Sequence, residues 1–315
     1  MLVSRLYDWG TSVVLEQADP PAHPPGDDVV IELEAAAVTR LDLGLMSGTF
    51  ASKPELPFTP GTAGVGTVTA GERDLVGRRV LVRGAGVGLE RPGTWAERIT
   101  VPKHAVRVVP QSTDAALAAT CYSPMVTGWA AAEPVGRIKA DERVLVTGPA
   151  GAVGSMCVQM AARAGGRVIA LVRDEKEAAA VPATAAEVLV GRSSENMERL
   201  GARGGVDAVL DTVGGDTVPT LLPVINPGGR VVMIGYVAGR TPTIDLPTLL
   251  TADVRLLPVN MVSRQVPDTV FRNLLTELSN GTLRLNTTSF AFTDLNDALG
   301  ALTGGGTAGT IAVTM

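Results

Sequence analysis

Short apolar runs broken by glycine and proline fill residues 1–110, and apolar runs alternating with helical stretches fill most of the remaining chain. Val29-Val-Ile-Glu-Leu-Glu begins an apolar–polar alternation, the period of a half-buried strand. Gly64–Thr69, Arg79–Arg83, Trp95–Val101 and Ala105–Val109 have the same length and composition, each bounded by turn-forming residues. Such density of short strands predicts a small barrel-like β domain. Near Ser112 the pattern changes. Asp114–Cys121 is an Ala-rich helical stretch for which Ser112 or Thr113 offers a cap. From Arg143 onward, strands at Val144–Thr147, Arg167–Val172, Glu187–Val190, Asp207–Val213 and Arg230–Gly235 alternate with helical stretches such as Ala152–Ala164 and Asp174–Ala180. Near-continuously apolar strands separated by helices belong to a parallel sheet covered on both faces. Val254–Pro258 reads as its edge strand, where a proline is tolerated. A helix at Asp268–Ser279 stops at Asn280-Gly281, and a helix at Asp294–Leu302 and a strand at Thr310–Thr314 come after it. This tail is expected to return to the first domain. The fold class is therefore α/β: a doubly wound parallel-sheet domain over 114–264, and a β-rich domain built from 1–113 and 265–315.

Composition narrows the function classes. The chain has 315 residues, is 45% hydrophobic and carries a net charge of −5, so it can bury a sizeable core and presents no basic surface for nucleic acid or anionic membrane. No apolar run reaches the ~18–20 residues of a membrane span. The first residues, Met1–Trp9, lack the apolar stretch of a signal peptide, so a cytoplasmic protein is expected. Two cysteines, Cys121 and Cys157, and two histidines, His23 and His104, are too few for a disulfide framework or a cysteine-rich zinc lobe. Both histidines read as solvent-facing imidazoles, and no metal is expected.

The most informative segment is Val144-Leu-Val-Thr-Gly148-Pro-Ala150-Gly151-Ala152-Val153-Gly154. A strand runs into a glycine-rich turn that opens a helix. Gly148 suits the tight turn, Gly151 leaves room for a pyrophosphate, and Gly154 lets the helix pack close to the sheet, while the helix N-terminus offers free N–H groups. This context makes the pattern a dinucleotide site, and the missing P-loop lysine disfavours a nucleoside triphosphatase. The next strand ends in Arg173. A cation there favours NADPH, since an NAD site places a carboxylate on the ribose. Asp174 begins a capping-box-like helix start, Asp174-Glu-Lys-Glu177, which leaves Arg173 for the 2′-phosphate, with Lys176 and Arg192 as further candidates.

With these residues in view, the chain resembles the medium-chain dehydrogenase/reductase superfamily, in its zinc-independent quinone oxidoreductase and enoyl reductase branch. The resemblance covers nearly the whole chain. It is carried by Gly148–Gly154 with Gln159, Leu56-Pro-Phe-Thr-Pro-Gly61 through Gly66, Val76-Gly-Arg-Arg-Val80, Gly93-Thr-Trp-Ala-Glu97, Thr127-Gly-Trp129 and Asp211-Thr-Val-Gly-Gly215. It implies a Rossmann domain beside a GroES-like catalytic domain, NADPH as cofactor, and a substrate in the cleft between them. It further implies that Thr127 lies near the nicotinamide. Val213, Ile234, Gly235 and Tyr236 would line the cofactor, and Val259, Asn260 and Met261 would form a loop over its ring. The positions that hold catalytic zinc in metal-dependent relatives correspond to Thr39, Thr62-Ala63 and Ser123, none of them a convincing ligand. Phe50 stands near the place of a tyrosine proposed as proton donor in some enoyl reductases.

The expected reaction is hydride transfer from NADPH to a quinone or an α,β-unsaturated carbonyl without metal. A quinone is the easier acceptor, because water can protonate its reduced oxygens. The anion produced needs a positive or donor partner. Arg40 offers charge, or is a surface guanidinium. Thr39, Tyr122 and Ser123 offer hydroxyls, although Tyr122 also fits a packing role. Asp42 fits structural hydrogen bonding. Three alternatives stay open: an enoyl-thioester reductase, a zinc-dependent alcohol dehydrogenase, and a non-catalytic NADPH-binding redox sensor or interaction protein. Relatives often pair through the sheet edge, here Val254–Leu257, so a homodimer is expected.

Overall fold

The computed structural model describes residues 1–21, 26–50, 53–191, 194–261, 264–304 and 307–315. His23 and Arg192 lie outside the described residues. Two compact units emerge, one formed by Met1–Tyr122 with Asn286–Met315 and the other by Ser123–Leu285. These bounds differ from the sequence division: residues 114–122 join the first unit, and 265–285, with the helix Asp268–Ser279, join the second. Side-chain bonds account for the second difference. Gln159, on the helix Ala152–Arg163, donates to Arg284 O at 2.7 Å and accepts from Arg284 N at 2.8 Å. Arg163 pairs with Glu277 at 2.8 Å. The helix Asp268–Ser279 is thereby tied to the helix that opens from the glycine turn.

The first unit is organised around a seven-stranded sheet. Its long central strand, Asp28–Val38, pairs antiparallel with Ala63–Ala70, Arg98–Pro102 and the tail strand Thr310–Thr314. Val29, Ile31 and Leu33 alternate inward against Val68, Val80 and Val82, the burial that the period-2 pattern anticipates. The close glycine contacts explain two sequence motifs at once. A Cβ on Gly93 would stand 2.3 Å from Pro60 O and Gly61 O, so the Gly93–Glu97 stretch can lie on the Pro60-Gly61 turn only without one. Trp95 is then buried and donates to Ala37 O at 2.9 Å. The helix Ala115–Thr120 is capped by Asp114, which accepts from Leu117 N; Ser112 and Thr113 are not the cap.

In the second unit six parallel strands run in the order Glu187–Val190, Arg167–Val172, Arg143–Thr147, Val206–Asp211, Ile225–Met233 and Arg255–Pro258. Chain order reverses between Arg143–Thr147 and Val206–Asp211, which opens a crevice at the carboxyl ends of these strands. Two strands stop earlier than the apolar runs predict. Asp211, buried at the end of its strand, accepts Val213 N at 3.1 Å and Gly214 N at 3.0 Å on its carboxylate. Its carbonyl accepts Ile234 N at 2.9 Å and Gly235 N at 3.2 Å. Residues 213 and 234 are thereby turned out of the ladder and into the crevice loops. The helix predicted at Asp174–Ala180 is a single turn, Glu175–Ala178.

Cys121 and Cys157 are both fully buried, and burial pushes each thiol up to about 12. Native protein is expected to leave both thiols unreacted with an aromatic disulfide reagent at neutral pH, and both should react once the chain is unfolded in guanidinium. Fast titration of either thiol in the native state would contradict this burial. Among the described residues, no helix is long and apolar enough to cross a membrane.

Candidate functional site

The glycine turn has the geometry of a phosphate cradle. Gly148 takes φ +59°, in the left-handed region. A Cβ on Gly154 would lie 1.9 Å from Gly148 O, so helix and turn touch backbone to backbone. Gly151 differs. A Cβ there would meet only Gly148 O, at 3.4 Å, an ordinary contact, and its backbone is extended at φ −76°, ψ 167°. The protein itself has no steric need for glycine at this position. Gly151 is exposed and caps the helix Ala152–Arg163 without a side-chain hydrogen bond, so the first N–H groups of the helix, at the half-buried Ala152 and Val153, have no side-chain cap. These residues fit a dinucleotide pyrophosphate. Ala150 is buried beneath the turn.

The residues expected to bind cofactor gather at the carboxyl ends of the same parallel strands. Gly148 sits against Val213: a Cβ added to this glycine would lie 3.1 Å from Val213 Cγ2. The turn Val213–Gly215 lies against Gly235 and Tyr236, with Gly214 closest to Gly235 O and Tyr236 Cα. A threonine–aspartate network fixes this arrangement: Thr147 Oγ1 donates to Asp211 Oδ1 at 2.6 Å, and Thr212 Oγ1 donates to Thr147 O at 2.7 Å. Sequence reading identified the motif around Asp211 but not its role as the hub of the crevice. Ile234 and Gly235 are half-buried, whereas Tyr236 is exposed with Arg240 over its ring at 5.8 Å. Val259 N continues the sheet to Met233 O, so Asn260 and Met261 come after the last strand at the same edge. Thr127 is buried on the helix Tyr122–Ala130, where Gly128 packs closely on Met156.

Arg173 stands at the end of Arg167–Val172 with its side chain 70% exposed, so a ligand can reach it. It is not a solitary cation. Glu177 accepts from Arg173 Nε at 2.6 Å and from its backbone N at 2.9 Å, and this hydrogen bond raises the guanidinium pKa. Asp174 caps the helical turn by accepting from Glu177 N at 2.9 Å, so the capping-box reading holds in altered form, with Glu177 reaching back to Arg173. Lys176 is exposed on the same turn.

In the first unit, Thr39 and Asp42 form a capping box on the helix Arg40–Met46. Asp42 is fully buried and accepts from Thr39 N at 2.8 Å, Thr39 Oγ1 at 2.6 Å and Thr62 N at 2.9 Å. Burial raises its pKa, against these hydrogen bonds and the nearby Arg83 charge. The hydroxyl proton of Thr39 is thus committed to Asp42. Arg40 is exposed. Tyr122 packs under the Arg107 guanidinium, 5.1 Å from its ring centroid. Phe50 is exposed, and its ring lies by Gly44. Thr39, Thr62 and Ser123 supply hydroxyls, a donor set that does not fit zinc. Among the described residues, no group of three or more histidine, cysteine or acidic side chains is arranged to hold a metal ion. His104 is exposed.

Comparison with known proteins agrees with this architecture. Residues 25–111 match the family model described as alcohol dehydrogenase GroES-like domain, and residues 152–280 match that described as zinc-binding dehydrogenase. Prostaglandin reductase-3 of Bos taurus is 27% identical over 248 residues, covering 77% of this chain and 65% of that relative. The chain thus matches somewhat less than two thirds of that protein's length. Quinone oxidoreductase of Lama guanicoe is 28% identical over 245 residues, covering 75% and 73% of the two chains. Among solved structures, the quinone oxidoreductase of Thermus thermophilus, described with its NADPH complex, superposes with a TM-score of 0.78 at 26% identity over 100% of both chains. The doubly wound sheet, the GroES-like unit and the sequence matches agree: the chain belongs to the medium-chain dehydrogenase/reductase superfamily, in its quinone oxidoreductase branch.

Proposed function

We propose that the chain is an NADPH-dependent oxidoreductase that reduces a quinone or an α,β-unsaturated carbonyl without a metal ion. The observation that carries the cofactor reading is Gly151, open on its protein side at an uncapped helix N-terminus in the crevice of the parallel sheet. Bound NADPH supplies hydride from its nicotinamide ring. Ala150, Gly151, Ala152 and Val153 hold its pyrophosphate, and Arg173, with Lys176 and Arg192, holds its 2′-phosphate. Val213, Ile234, Gly235, Tyr236, Asn260 and Met261 line its ribose and nicotinamide side, with Thr127 beside the ring. A quinone or reactive enone suits the first unit better than a thioester, because Phe50 carries no proton to give and a hydroquinone oxygen takes its proton from water. A homodimer paired through the edge strand Arg255–Pro258 is the oligomer this reading favours.

The test is nucleotide oxidation, followed by near-ultraviolet absorbance, against ortho- and para-quinones, enones and a 2-enoyl thioester, with NADPH and NADH side by side. Turnover of quinones or enones with NADPH preferred is the expected result. Tight binding with no turnover of any acceptor would overturn it in favour of a redox sensor.

The pairing of Arg173 with Glu177 leads to a sharper expectation. Arg173→Glu should weaken NADPH roughly 10–100-fold, the value of a charge-assisted hydrogen bond, and leave NADH nearly unchanged. Glu177→Gln should tighten NADPH a few-fold, because the guanidinium is released from a competing carboxylate. Fluorescence titration measures both. Equal effects on the two nucleotides would remove Arg173 from the 2′-phosphate.

A further inference from the structure

We propose that Arg83 is the group that receives the oxygen anion of the reduced substrate, its guanidinium held beside Thr62 and the Asp42–Thr39 cluster to bind a phenolate or enolate oxygen. The inference rests on the reductase reading above and supplies the cation which that reading requires. Arg83 ends the strand Arg79–Arg83, whose alternation points Arg79 and Arg83 to the same side. The two arginines are used differently. Arg79 is buried and its terminal nitrogens are committed, with only Nε unpartnered: it pairs with Glu34 at 2.9 Å and donates to the carbonyls of Pro110, Gln111 and Thr113. Arg83 is half-buried, makes no ion pair among the described residues, and has one hydrogen bond there, from Nη1 to Thr62 O at 3.2 Å. A guanidinium carries five N–H donors. Arg83 therefore holds a fixed orientation with most of its fork uncommitted.

A second, independent observation lies on the residue that anchors it. Thr62 gives its carbonyl to Arg83 and its N–H to Asp42, yet its hydroxyl is buried with no hydrogen-bond partner. Such a group is rare unless something else satisfies it. A ligand oxygen held by Arg83 can accept from this hydroxyl too. Burial lowers the Arg83 pKa, while Asp42 and Tyr122 raise it. A ligand anion would act in the same direction as those two groups. The alternative cation, Arg40, is exposed, where water screens its charge.

The step balances without a metal. Hydride adds to the acceptor and the carbonyl π pair moves onto oxygen, so the acceptor is reduced and the nicotinamide oxidised. Arg83 holds the oxygen anion until water delivers the proton. Asp42 is a positioning residue here, acting through Thr62.

The experiment uses 4-nitrophenol, a phenol whose ionised form is coloured, titrated against the full-length protein without cofactor. Wild type is expected to lower the probe's apparent pKa by roughly 1–3, as a cation at contact distance does. Arg40→Met should behave as wild type, Arg83→Lys should keep part of the effect, and Arg83→Met should lose it while melting at the wild-type temperature. In turnover, Arg83→Met should lose about 10²–10³-fold in kcat/KM for a quinone with NADPH affinity unchanged. An unshifted probe pKa in wild type, an Arg83→Met protein that shifts it equally, or one that turns over within about threefold of wild type, would overturn the proposal. If the probe shift depends on Arg83 but no acceptor oxidises NADPH, the anion site stands and the reductase reading falls.

Discussion

Gly151→Asp is expected to raise the melting temperature of the second unit slightly and to abolish nicotinamide-nucleotide binding, whereas Gly154→Ala should lower the first and lose the second. The two glycines stand three positions apart in one turn, and their surroundings demand opposite outcomes. At Gly151 the backbone is extended and a Cβ meets one atom at 3.4 Å, so any side chain fits the fold. Aspartate there can cap the helix, accepting from its free N–H groups and facing its positive end, for a gain of about 0.5 kcal/mol over glycine. Those same N–H groups are the ones a pyrophosphate needs, and a carboxylate in their place both occupies and repels. At Gly154 the added carbon would overlap Gly148 O at 1.9 Å and crowd Gly148 C at 2.7 Å. Neither is the end of a flexible side chain, so the turn must open, at about 3 kcal/mol by the measure of overpacked cores. Thermal melts and nucleotide titration of both variants separate the two roles. A Gly151→Asp protein that still binds NADPH tightly would show that the pyrophosphate does not lie on this turn.

Local patterns made the cofactor half of the molecule legible. A parallel sheet reads directly as apolar runs spaced by helices, and because all its strands end at one edge, the residue after each run is a crevice residue. Gly148 and Arg173 follow from this pattern as candidates, whereas Val213, Ile234 and Asn260 are implied only by the family resemblance. What escaped depends on partners distant in sequence or hidden in side-chain geometry. Thr147 and Asp211 are 64 positions apart, and only the sheet register sets them side by side. Arg83 lies 21 positions from Thr62, at the end of a strand that reads as an ordinary barrel strand. In the first unit the sequence leaves Arg40, next to Thr39, open as a source of charge or as a surface guanidinium; the fold exposes Arg40 and brings Arg83 to the Thr62 carbonyl. The capping-box pattern marks Glu177 as a helix-start residue; its bonds back to Arg173 are side-chain contacts that this pattern does not specify.

Asp42→Ala should destabilise the first unit by about 3 kcal/mol, since it leaves the buried Thr62 N and the half-buried Thr39 N without their acceptor and removes the capping box of Arg40–Met46. The size follows from the count of donors orphaned at one fully buried carboxylate. Asp42→Asn keeps the shape and one acceptor oxygen, so it should lose less, and it makes the charge testable by itself. Burial holds the Asp42 pKa above its ordinary value. Between the unfolded and folded values the native state therefore binds more proton than the unfolded chain, and stability falls as pH rises. The contribution of the protonated carboxyl is fully present below the unfolded pKa and is lost as pH climbs through the folded one. Asp42→Asn cannot titrate, so the stability of wild type relative to this variant should decline from about pH 4 upward. Urea unfolding of both proteins across that range reads the difference directly. A difference that grows with pH would mean that Thr39, Thr62 and Arg83 stabilise the ionised carboxylate by more than burial opposes it, and the direction of the Asp42 shift would be reversed.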